Sequence, residues 1–79
     1  MTPKQIKFFK GIVYPRYAKY TGFELLEVDE IIKSKVSQKS FKDYGLEELQ
    51  ALKIVLGQMF EDIGKDYEIE FEDYYEVKR

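Results

Sequence analysis

The chain contains no cysteine, no histidine and no tryptophan, and only two prolines. Without cysteine there is no disulfide to staple a small fold, no thiolate nucleophile and no sulfur ligand for a metal; the absence fits a reducing compartment. Without histidine the usual general base, proton shuttle and commonest metal ligand are missing together. No glycine-rich phosphate loop appears either, because Gly11 and Gly22 stand too far apart and in the wrong setting. The longest uncharged stretch is residues 54–60, far short of a bilayer span, and the start has no apolar run or small-residue cleavage site like those of a signal peptide. These absences lead us to expect a soluble cytoplasmic protein that is not an enzyme, holds no cofactor or metal and does not enter a membrane. The acidic tetrapeptide EFED offers carboxylates to a hard cation, but its spacing specifies none.

What is present is sorted by charge. The total over 79 residues is only −2, yet residues 1–23 carry five cations, six aromatic rings and no acid. Residues 24–60 sum to −2, and residues 61–79 sum to −5, with eight acids against Lys65, Lys78 and Arg79. A basic head and an acidic tail are a statement about partners rather than about fold. A chain of this length makes one domain and buries only about 60% of its unfolded surface. Its aromatic content of 16%, all Tyr and Phe, suits dense packing.

The pattern predicts an all-α fold: a compact three-helix domain over residues 1–64 and an extended acidic, aromatic C-terminal arm over residues 65–79. Thr2, Pro3 and Gln5 form a helix start with a reciprocal cap. Steps of about 100° then group Ile6, Phe9, Val13, Tyr17 and Tyr20 as the core face. Phe8, Gly11, Ile12 and Pro15 recur on the opposite side, where a surface helix is normally polar. Pro15 lacks an N–H and crowds the carbonyl of Gly11, which predicts a kink near residues 14–15 or a second short helix from Pro15. Gly22 closes the segment in the left-handed conformation.

The second helix is expected over residues 23–36, with Leu25, Val28, Ile32 and Val36 on one face. A loop with Phe41 and Tyr44 as anchors follows. The third helix, residues 46–64, buries Leu49, Leu52, Leu56, Met59, Phe60 and Ile63, leaves Ile54 partly exposed and stops at Gly64. Gly57 costs about 1 kcal/mol against Ala and so suggests close packing against another helix. From Tyr67 the period changes to two, rings and apolar residues alternating with acids, which reads as extended chain.

Three chemistries follow from these residues. Lys7, Lys10, Arg16 and Lys19 are candidates to hold phosphates, with Tyr14 or Phe8 to stack an unpaired base; Lys33, Lys35, Lys39 and Lys42 are more distant cations. Phe8 and Ile12, beside Pro15, are candidates for an apolar protein interface or a homodimer contact. Glu68, Glu70 and Glu72, with Tyr74 and Tyr75, have the charges and rings to mimic a single strand and so to engage a protein partner.

The stretch KFFKGIVYPRYAKYTGFE, followed by VDEIIKSKV, resembles small phage-encoded recombination accessory proteins of the NinB/Orf type over residues 7–36. The resemblance implies non-catalytic binding of single-stranded DNA in aid of strand exchange, in the host-cell cytoplasm. It carries over to Lys7, Lys10, Tyr14, Arg16 and Lys19. The alternative is a small acidic inhibitor or adaptor, a DNA mimic or anti-host-defence protein, that works through its arm and an apolar patch.

Overall fold

Thr2 starts the first helix: its Oγ1 accepts the Gln5 N–H (3.2 Å), and the Gln5 side-chain oxygen accepts the Thr2 N–H (2.9 Å). In the computed structural model, which describes residues 1–70, this opens α1 (Pro3–Phe8). A π-helical turn, Phe9–Val13, continues it into α2 (Tyr14–Thr21). The irregularity expected at Pro15 therefore falls in the turn just before it. The Tyr14 N–H donates to the Phe9 carbonyl, five residues back, so the chain is already widened where the proline ring arrives.

That widening corrects the reading of Tyr14 as an exposed stacking ring. At α-helical steps Tyr14 would lie about 140° round the axis from Phe9. The five-residue hydrogen bond brings it back over Phe9, and both side chains are buried. Phe8, Ile12 and Pro15 are half-buried, and Phe8 and Ile12 pack against the core, so they do not form the open apolar face expected of them. Gly22, at φ 82°, ends α2 as predicted.

Helix α3 (Leu25–Lys35) buries Val28 and Ile32, but Leu25, expected on the same face, is exposed because it stands at the first helical position, ahead of the packed turns. Phe41 and Tyr44 anchor the connection as predicted, Phe41 from a 3₁₀ turn, Phe41–Asp43. The Tyr44 hydroxyl donates to the Ser37 carbonyl (2.7 Å), and the Met1 ammonium donates to the Tyr44 carbonyl (2.7 Å), tying the N-terminus to this turn. Helix α4 (Leu46–Asp62) begins where the Gly45 N–H donates to Glu48 Oε1 (2.7 Å) and ends before Gly64, at φ 79°. Leu52, Leu56, Met59 and Phe60 are its buried stripe.

The described residues are all-α, with no strand among them. Of the predicted extended arm, residues 71–79 lie outside the described residues, and Tyr67–Glu70 is one turn of helix, α5. Its Tyr67 is buried against Phe60 (ring centroids 5.4 Å), so packing continues past residue 64 into the segment read as a separate arm. Of the thirteen buried apolar side chains among the described residues seven are rings, which is how a chain without staples fills its core.

Candidate nucleic-acid interface

Because α1, the π turn and α2 bury rings along one side, what they turn to solvent is a short list. Over residues 3–21 the exposed positions are Pro3, Lys4, Lys7, Lys10, Gly11 and Lys19, with no acid among them. The solvent face of the rod is therefore cationic along roughly 20 Å of helix. Lys10 is held: its Nζ lies 5.1 Å from the centre of the Phe41 ring, a cation–π contact. The 3₁₀ turn that carries exposed Lys42 packs on α1, so Lys42 adds a donor at the Lys10 end, with Asp43 beside it balancing the charge.

The structure thus leaves three of the four predicted phosphate contacts, Lys7, Lys10 and Lys19, exposed along the rod. Arg16 is half-buried. Tyr14 is withdrawn altogether: its hydroxyl donates to Asp29 Oδ1 (3.0 Å), and burial, reinforced by Asp29, pushes its phenol far above the usual tyrosine range. Among the more distant cations Lys33 pairs with Asp29 (3.6 Å) and Lys39 with Glu48 (3.1 Å), while Lys35 is exposed. The Glu48 carboxyl is held below the usual carboxylate range, first by the Gly45 N–H and then by Lys39.

Sequence reasoning missed Phe23. It is 40% exposed, the one exposed ring among the described residues, and it follows Gly22 at the end of the cationic rod. Its ring leans on Tyr17 (centroids 6.2 Å). The signal was available: a ring wedged between a helix-stopping glycine and the next N-cap, Glu24, has few neighbours in the chain to cover it. Leu25 and Leu26, 49% and 68% exposed, continue the apolar surface.

Of the predicted protein-interface residues, Phe8 and Ile12 are the half-buried pair described above, and Glu68 is exposed. Glu72 and Tyr74 lie outside the described residues, as does the Glu70 side chain. Among the described residues no cluster of acids is arranged to hold a metal ion, and no helix is long and apolar enough to cross a membrane. Comparison with protein-family models, curated proteins and solved structures gave no match.

Proposed function

We propose that this protein is a non-catalytic accessory that binds single-stranded DNA by its phosphates. The observation that carries the reading is the acid-free lysine face of Lys4, Lys7, Lys10 and Lys19. Lysine contacts phosphates as a point charge and reads no sequence, so the binding is indifferent to base order. Phe23, with its exposed ring past Lys19, takes the stacking role first assigned to Tyr14. The resemblance of residues 7–36 to the NinB/Orf type suggests phage-type recombination as the setting.

Fluorescence anisotropy of labelled single- and double-stranded oligonucleotides, titrated across a salt series, tests the reading. Four phosphate contacts give a slope of about −3 in log affinity against log salt for a single strand. Lys7→Glu with Lys10→Glu is expected to abolish binding while leaving the fold intact, since both side chains are exposed. Phe23→Ala is expected to weaken single-strand binding about tenfold and duplex binding hardly at all. A flat salt response, or full affinity in the lysine double variant, overturns the proposal.

The second reading is a protein-binding inhibitor or adaptor. It is favoured by the contiguous apolar run Phe23, Leu25 and Leu26, which no other part of the described chain covers. Its binding would survive salt and fail on Leu26→Asp.

A further inference from the structure

Among the described residues Gly57 has no packing partner that calls for a glycine. It lies in the middle of α4, where glycine is a poor helix former, and a Cβ built on it meets nothing within 4 Å. The close helix contact that a mid-helix glycine implies is not made by α3, by α5 or by the first rod. Instead Gly57 lines an open groove of about 990 Å³ between α4 and the turn leading to Tyr67. Ile54, one turn earlier on the same surface, is 69% exposed.

The charges round Gly57 say what would fit there. Lys53 stands four residues before it and Glu61 four residues after; both are exposed and both line the groove. At 1.5 Å per residue they flank Gly57 at about 6 Å along the axis. At 100° per residue they sit about 40° to either side of it. A two-fold axis that lies in the contact plane, perpendicular to the row Lys53, Gly57, Glu61, exchanges the two ends of that row between copies. It sets Lys53 of one copy opposite Glu61 of the other, and does so twice. It also brings the two Ile54 side chains together on one flank of the crossing. A surface that matches itself under a two-fold axis is the signature of an isologous contact.

We infer that the protein forms a homodimer in which two α4 helices cross antiparallel at Gly57, with reciprocal Lys53–Glu61 pairs fixing the register. The missing Cβ allows the backbones to approach, the two Ile54 side chains supply apolar burial, and the rim charges give orientation more than affinity. This surface is distinct from the lysine face, so the dimer carries two DNA-binding rods and stands or falls independently of the DNA reading.

Sedimentation equilibrium of the full chain tests it. The wild type is expected to be dimeric at micromolar concentration. Lys53→Glu and Glu61→Lys should each weaken dimerisation at least tenfold, by facing like charges twice. An equimolar mixture of the two single variants should recover a heterodimer, because each Glu then faces a Lys, and the double variant should recover the homodimer. Circular dichroism checks that the variants fold. A wild type that stays monomeric at high concentration, as it would if residues 71–79 or a different protein filled the groove, overturns the inference. So does a dimer indifferent to Lys53→Glu, or a mixture that fails to associate.

Discussion

Tyr14 is the residue on which sequence and structure part most sharply. Its neighbours in the chain are cations and rings, so by composition it belongs to a nucleic-acid surface. By position it lies over Phe9 and against Phe41 (centroids 5.9 Å), with its hydroxyl on Asp29. Nothing within a few residues of it announces Asp29, fifteen positions away, as its partner. Tyr14→Phe is expected to cost about 1 kcal/mol at neutral pH, the net worth of one part-buried hydrogen bond. The same residue carries a pH dependence. Burial, then Asp29, raises its phenol above the ordinary value of 10.0, and burial raises Tyr17 and Tyr44 in the same direction. Below about pH 9 the folded and unfolded chains both keep these protons, and stability is unaffected. Above about pH 10 the unfolded chain releases them and the folded chain does not, so stability falls. Melting temperatures measured from pH 8 to 11.5 should show that fall, and Tyr14→Phe should make it shallower. An identical alkaline fall in the variant would remove Tyr14 as a source.

At the scale of elements, two glycines of the first rod have opposite roles. Gly22 has a left-handed backbone, and Gly11 does not. A Cβ at Gly11 meets nothing within 4 Å, and the residue is exposed. The bend that Gly11 seemed to permit is supplied by the hydrogen-bond shift between Phe9 and Tyr14, which any residue can make. Gly11→Ala should therefore stabilise by about 0.5–1 kcal/mol and Gly22→Ala destabilise by about 1–2 kcal/mol, read from urea midpoints. A loss of stability in Gly11→Ala would mean that the π turn depends on glycine after all. Helix ends and buried stripes were legible in the sequence because caps, glycines and 3.6-residue spacing act locally: Thr2 with Gln5, Gly22, Gly64, and the Leu52, Leu56, Met59 and Phe60 stripe. The π turn was not. Its cause combines a local clash at Pro15 with the gain from burying Tyr14, and only the second decides which side of the helix each ring takes.

For the whole molecule, the chain's end is the test. The Phe60 ring lies between Tyr17 (centroids 5.3 Å) and Tyr67 (5.4 Å), so three elements meet on it. Removing Tyr67 uncovers Phe60, the one ring that α4 carries. Tyr67→Ala is expected to cost about 3 kcal/mol, as for other buried aromatic truncations, whereas Glu68→Ala, at an exposed site, should stay within about 0.5 kcal/mol. Chemical denaturation of the two variants separates an arm that merely follows the domain from one that belongs to its core. Equal, small effects would return Tyr67 to the surface.

The sequence alone determined the class of the fold, the places where helices begin and end, and the sorting of charge, because each depends on residues within a turn or two of one another. The same local logic named Lys7, Lys10 and Lys19 as exposed cations, since a lysine on a helix is costly to bury. Contacts between distant elements settle which rings are consumed by the core and which remain outside it. Tyr14 and Tyr67 are taken in, Phe23 is left out, and Gly57 meets no neighbouring helix among the described residues. Those outcomes depend on how much apolar area distant elements can offer each ring, a quantity that no window of sequence contains.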